Sequence, residues 1–187
     1  MKTSKLKKLS DTFGKILKEI PEFTYIGNII LRQKTAEVDL QEGINIGNRL
    51  KTILEKYRKI AGFGRGLAAP QIGENKSVFV TFVDNKFKTY INPKIINQSE
   101  KFNLYRESCL SCGFLSVDVK RPESITIEYT NENGESKKEE ADSFLARLLQ
   151  HEHDHLKGIV NIDKAESASI EFIINDPLKE QLREIQV

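Results

Sequence analysis

All three histidines of this chain fall within five consecutive residues, His151-Glu152-His153-Asp154-His155. The surrounding pattern is helical, from Asp142 or Ser143 as cap to Gly158 as terminator. On a helix of 3.6 residues per turn His151 and His155 project side by side, so one metal ion can take both imidazoles. Glu152 lies about 100° round from His151, beside such an ion but outside its ligand set, and His153, about 200° round, faces away. Phe144, Leu148, His151 and His155 form one stripe, so the imidazoles sit on an otherwise apolar face, where buried polar groups need partners. A lone histidine there is ordinarily a satisfied core residue. A pair four residues apart with Glu at the second position reads as the H-E-x-x-H metal pattern.

The rest of the chain must therefore cover a central helix. Residues 4 to 20 place Leu6, Leu9, Phe13, Ile16, Leu17 and Ile20 on one amphipathic stripe that Pro21 stops. A second helix is expected from Gly43 to Ala61, ending in the glycines at 62, 64 and 66. The period then changes from 3.6 to 2. Strands are expected over Ser77–Val83, Lys88–Pro93, Lys94–Gln98, Phe114–Lys120 and Ser124–Thr130, the last followed by an Asn133-Gly134 hairpin turn and a polar edge strand. A short helix is expected after Pro177. Helix, clustered strands, then helix predicts an α+β fold with antiparallel or mixed sheets around the helix that carries the histidines. With 187 residues, one catalytic domain over 22–187 is expected behind an N-terminal helical extension over 1–21.

Composition narrows the function. Lys plus Arg number 29 and Asp plus Glu 27, a net charge of +2, which argues against a basic nucleic-acid binder or a membrane-surface protein. No apolar run is long enough to span a bilayer, and neither a signal peptide nor a transit peptide is visible. Two cysteines make no disulfide framework, so a cytoplasmic location is expected, in which a cysteine is more often reactive or metal-binding.

A catalytic site of this type needs a third protein ligand and an open position. Cys109, Cys112, Glu166 and Glu171 are the candidates. Cys109 is the most specific, a soft donor inside Glu107-Ser108-Cys109-Leu110-Ser111, although alone it reads as a small buried hydrophobe. Cys109 and Cys112 also form C-x-x-C, which allows a thioredoxin-like redox pair, whose helical and βαβ setting is missing here, or a closed Cys₂His₂ staple. That arrangement leaves Glu152 without a role, and its spacing is far longer than a zinc finger uses, so Cys112 reads as structural. Gly64-Arg65-Gly66-Leu67-Ala68-Ala69-Pro70-Gln71 loosely fits a dinucleotide fingerprint, but it follows a helix and precedes a strand, the reverse of what that motif needs. It reads instead as a loop that exposes backbone to a substrate, with Gln71 as an amide donor.

Together these segments resemble peptide deformylase. G-x-G-x-A-A-x-Q is matched at Gly64, Gly66, Ala68, Ala69 and Gln71; E-G-C-L-S appears as Glu107-Ser108-Cys109-Leu110-Ser111; Q-H-E-x-D-H appears as Gln150, His151, Glu152, Asp154 and His155. The resemblance implies removal of the formyl group from the N-formylmethionine of nascent polypeptides, with release of formate. It implies Cys109, His151 and His155 as ligands of one divalent ion, Fe(2+) in the cell, with Zn(2+), Ni(2+) or Co(2+) also suited to the donors. It implies Glu152 as general base and acid, the Gln71 side chain and the Leu110 N–H as oxyanion donors, and backbone at Arg65, Gly66 and Ser108 pairing with the substrate as an added strand. The expected partners are an N-formylmethionyl peptide and the ribosome that presents it. The chain is expected to act as a monomer, with no nucleic-acid motif and no membrane.

Two positions depart from the pattern. Ser108 replaces a glycine and is strained only if φ is positive there. Arg65 replaces an aliphatic residue and brings a cation to the cleft. The rival readings are a small endopeptidase with Glu166 or Glu171 as third ligand, and a zinc-stapled binding module that uses both cysteines.

Overall fold

Strand residues alternate between two helices, and that alternation organises the molecule. The computed structural model describes residues 2–172, with side chains from residue 6 onward. It contains helices α1 (Lys2–Glu19), α2 (Leu40–Ala61) and α3 (Ser143–Leu156). The strands are β1 (Gly66–Ala68), β2 (Val78–Val83), β3 (Lys86–Gln98), β4 (Phe102–Ser108), β5 (Leu115–Pro122), β6 (Ser124–Thr130), β7 (Ser136–Asp142) and β8 (Glu171–Phe172). One sheet has the order β1-β2-β3-β6-β7 and the other β4-β5-β8, and every named pairing is antiparallel. The expected α+β architecture is therefore present.

Leu67, Val78, Val80 and Ile91 pack with Ile46, Leu50 and Leu54 of α2. Their neighbours Ala68, Phe79 and Tyr90 pack with Ala146 and Leu149 of α3. The five-stranded sheet is thus apolar on both faces, with one helix buried against each.

Helix α2 begins three residues before the periodic stripe, because Asp39 accepts a hydrogen bond from the Glu42 N–H (2.8 Å). It ends at Gly62, whose φ of 82° makes the left-handed turn. Gly43 and Gly47 let α2 lie close on β3, since a β-carbon there would stand 2.7 Å from Ile91 and 2.6 Å from Thr89. Helix α1 packs Ile16 into the same core, joined by Ile20, the residue after the helix, with Phe13 against Tyr25 and Phe114 at 5.3 and 4.9 Å between ring centroids. Leu6 and Leu17 of the expected stripe remain exposed.

Two expectations on strands are corrected. Lys88–Pro93 and Lys94–Gln98 are one strand, β3, whose register against β6 shifts between Ile91 and Lys94. Asn92 sits there at φ 49° with its side chain paired to both backbone groups of Val38 (3.0 and 2.8 Å). The irregularity is a bulge held by side-chain hydrogen bonds, not a strand end. Strand β4, which was not anticipated, ends immediately before Cys109. The helix expected after Pro177 lies outside the described residues.

Candidate active site

Helix α3 carries His151 and His155 towards the end of β4, where the chain leaves the second sheet and turns at Cys109. The Cys109 Sγ lies 3.3 Å from the His155 Nε2. His151 Nδ1 lies 3.0 Å from Glu107 Oε2, an arrangement that leaves the other ring nitrogen of His151 for a ligand. One ligand atom from each of Cys109, His151 and His155 falls within 4.8 Å of the others. The three residues expected as ligands therefore converge. Cys112 falls outside this donor set; its Sγ donates to Asn161 Oδ1 at 3.3 Å and also meets the Cys109 thiol. Glu171 pairs with Arg106 and Glu166 is exposed, and among the described residues neither joins the group of Cys109, His151 and His155.

The donor set fits a divalent cation. Burial pushes the Cys109 thiol well above its ordinary range, and burial, helped by His151, drives His155 well below its own. A protonated thiol and a neutral imidazole in a dry site are the groups that a cation deprotonates and coordinates. Glu152 Oε2 and His155 Nδ1 are buried with no hydrogen-bond partner among the described residues. Burial also pushes the Glu152 carboxyl up to about 7, and a neighbouring cation would favour its charged form.

Glu152 has no room to move away. It is 3 % exposed, and a β-carbon on Gly66 would fall on its carboxylate, 2.6 Å from the carboxyl carbon. Glycine at 66 thus lets β1 pass directly over the acid, a close approach that no other residue permits.

Gln71 is buried in a 3₁₀ turn, Ala69–Ile72, that closes at Gly73. Its Oε1 accepts from the Ala68 N–H (2.8 Å), which fixes the amide so that Nε2 donates to Ser111 Oγ (3.1 Å) and points towards Cys109 Sγ (3.7 Å). Leu110 opens the next 3₁₀ turn directly after Cys109, a position whose N–H lies before the first bond of the turn. Ser108 is part of β4 and pairs with Ser116, so its backbone is extended and the added β-carbon brings no left-handed strain. Strand β1 is the edge of one sheet and β4 the edge of the other. Arg65, Gly66, Glu107 and Ser108 line the cleft between these two edges, together with Phe144 and Leu148 of α3.

The support behind the ligands includes residues to which no role was assigned from the motifs alone. Glu107 accepts from Arg121 at both oxygens (2.6 and 2.9 Å), from Arg147 (2.5 Å) and faces His151. Arg121 also reaches Asp154 (2.7 Å), which takes Lys164 (2.8 Å). Burial alone would raise the Glu107 carboxyl, but the Arg121 charge and hydrogen bonds outweigh it and hold Glu107 well below the usual carboxylate range. The signal for Glu107 emerges only once β4 is known, since two residues before Cys109 along extended backbone is the same face. His153 does face away from the ligand set, as expected, but it is buried and its ring bonds the Pro93 backbone.

A buried acid beside a Cys-His-His donor set, at the foot of a cleft edged by two strands, defines a metal-dependent hydrolase that acts on peptides. Comparison with known proteins narrows the class. Residues 20–170 match the family model for polypeptide deformylase, and the chain belongs to that family. It is 37% identical over 168 residues to peptide deformylase from Borreliella burgdorferi, covering 87% of this chain and 96% of the relative. The crystal structure of a probable peptide deformylase from Synechococcus phage S-SSM7 superposes with a TM-score of 0.69 at 37% identity, covering 76% of this chain and 97% of that one. The Synechococcus elongatus enzyme in complex with actinonin gives 0.70 at 32% identity, with 85% and 84% covered. The chain is accordingly a hydrolase that removes the N-formyl group from nascent peptides.

Proposed function

We propose that Cys109, His151 and His155 hold one divalent ion, Fe(2+) in the cell, and that Glu152 moves the protons of formamide hydrolysis. The observation that carries this reading is the convergence of the three donors within 4.8 Å beside a buried, unpartnered Glu152 oxygen. When bound, the ion supplies Lewis-acid polarisation of the formyl oxygen and a water nucleophile at neutral pH.

The protein residues do the rest. The peptide lies along the free edges of β1 and β4, held by backbone at Arg65, Gly66 and Ser108, with the methionine side chain against Phe144 and Leu148. Glu152 takes a proton from the attacking water as the carbon–oxygen bond forms. The Gln71 Nε2 and the Leu110 N–H steady the negative charge that develops on the formyl oxygen. Glu152 then delivers the proton to the departing nitrogen as the carbon–nitrogen bond breaks, leaving formate and a free amine. Residues 1–21 act as an extension to one catalytic domain over 22–187, a division supported by a family match that begins at residue 20. We take the enzyme to act as a cytoplasmic monomer on chains emerging from the ribosome; among the described residues no helix is long and apolar enough to cross a membrane.

The test is formate release from formyl-Met-Ala-Ser by protein reconstituted anaerobically with Fe(2+), with an internal peptide as control. Formate from the first and no cleavage of the second is expected; cleavage of the internal peptide without formate would reject the reading. Replacing Gln71 with Ala removes one oxyanion donor and is expected to lower kcat by roughly 10² to 10³, with KM little changed. A Gln71→Ala enzyme within a factor of about three of the unmodified kcat would assign Gln71 to packing alone.

A further inference from the structure

The cleft carries charge that the hydrolysis does not use. Arg106 is neutralised by Asp118 (2.7 and 2.9 Å) and by Glu171, and Arg147 by Glu107 (2.5 Å). Arg65 lines the same cleft, is half-buried, and has no hydrogen bond or ion pair from its side chain among the described residues. Beside it, from the last turn of α2, Arg58 lays its guanidinium 3.9 Å over the Phe82 ring and donates to the Gly64 carbonyl (2.5 Å), with no carboxylate partner among the described residues. Burial first, and then the Arg65 charge, pull the Arg58 pKa below its ordinary value. Two like charges held together with no counter-ion among the described residues are unfavourable at rest, and an incoming carboxylate relieves that repulsion.

The pleat of β1 says which substrate residue meets them. Gly66 turns towards Glu152, Leu67 towards the α2 core and Ala68 towards the α3 core. Arg65, one residue before Gly66, therefore turns to the α2 side, where Arg58 stands. A peptide added along β1 shares this pleat. If the formylmethionine faces Glu152 and α3, the next residue faces Arg65.

We propose that Arg65, with Arg58 beside it, is a specificity-determining residue that favours formylated peptides carrying Asp or Glu immediately after the formylmethionine. The inference rests on the deformylase reading above. Its test is kcat/KM of the metal-loaded enzyme, by formate release, on formyl-Met-Asp-Ser, formyl-Met-Ala-Ser and formyl-Met-Lys-Ser. The Asp peptide is expected to exceed the Ala peptide about fivefold at low salt and the Lys peptide by more, the differences narrowing as salt rises. Arg65→Met should bring the Asp-to-Ala ratio close to one and Arg65→Lys should keep part of it; a ratio taken within one enzyme cancels any loss of folded or metal-loaded protein. A flat profile in the unmodified enzyme, or an Asp preference that survives Arg65→Met, overturns the role of Arg65 while leaving the deformylase reading intact. Formate from none of the three peptides sinks that reading, and the inference with it.

Discussion

Glu152→Gln is expected to reduce kcat for formate release by about 10² to 10⁴ while the protein keeps its metal and its fold. The substitution conserves shape in a place where shape is tightly restricted, since the Gly66 backbone passes directly over the carboxylate and Glu152 is almost wholly buried. It removes the ability to take a proton. Stability should change little or improve. The carboxyl is already pushed up to about 7 by burial, and Oε2 has no partner among the described residues, so a neutral amide replaces a group that gains little from charge in the folded protein. The measurement is a pairing of kcat with metal content per chain and thermal midpoint. A variant that loses the metal with the activity would make Glu152 a ligand or a support for one; a variant that keeps both would remove it from the chemistry.

What could be read from the sequence follows from what is local. Helix α3 is visible because its period, its start near Asp142 and its stop at Gly158 lie within one segment, and the convergence on one face of His151 and His155 follows from helix geometry alone. That Cys109 completes the set was implied by the family resemblance, and it depends on β4 delivering it from 42 residues earlier in the chain, a distance no periodicity can report.

Strand β4 itself was hidden because its polar residues are satisfied across the sheet. Arg106 stands opposite Asp118 in register and bonds it, and Glu107 meets Arg121, so charges occupy positions where a half-buried strand should alternate. Arg121, at 1 % exposure, is among the most buried large side chains of the molecule. Arginine is almost never fully buried unless paired, and the pairing partners are supplied by the tertiary fold. The bulge at Asn92 was hidden for a related reason. Asn-Pro reads as a strand end locally, whereas here the asparagine is fixed by Val38, far off in sequence.

The buried ionic cluster leads to the second prediction. Glu107→Gln is expected to destabilise the protein by about 3 to 5 kcal/mol and to weaken metal binding roughly 10- to 100-fold. Glu107 is 5 % exposed and is the only carboxylate within hydrogen-bond reach of Arg147 among the described residues, whose other partners there are Asn103 and the Val119 carbonyl. With Gln at 107, Arg121 keeps only Asp154, which it shares with Lys164, and Arg147 keeps only neutral acceptors. Removing one partner leaves the others charged and dry, so the loss is set by desolvation and exceeds the worth of a single bond. His151 loses at the same time the carboxylate at its Nδ1 that fixes its tautomer and ring orientation.

The two effects separate experimentally. Urea unfolding of the metal-free protein reads the cluster, and competition for metal against a chelator reads the orientation of His151. The double substitution Glu107→Leu with Arg121→Met removes a donor and its acceptor together. It should recover part of the stability by comparison with Glu107→Leu alone, yet leave metal binding weak, because the partner of His151 is still missing. If the double variant were no more stable than the single one, the cluster would be holding the fold by packing; if Glu107→Gln bound metal as tightly as the unmodified chain, His151 would be oriented by α3 without help.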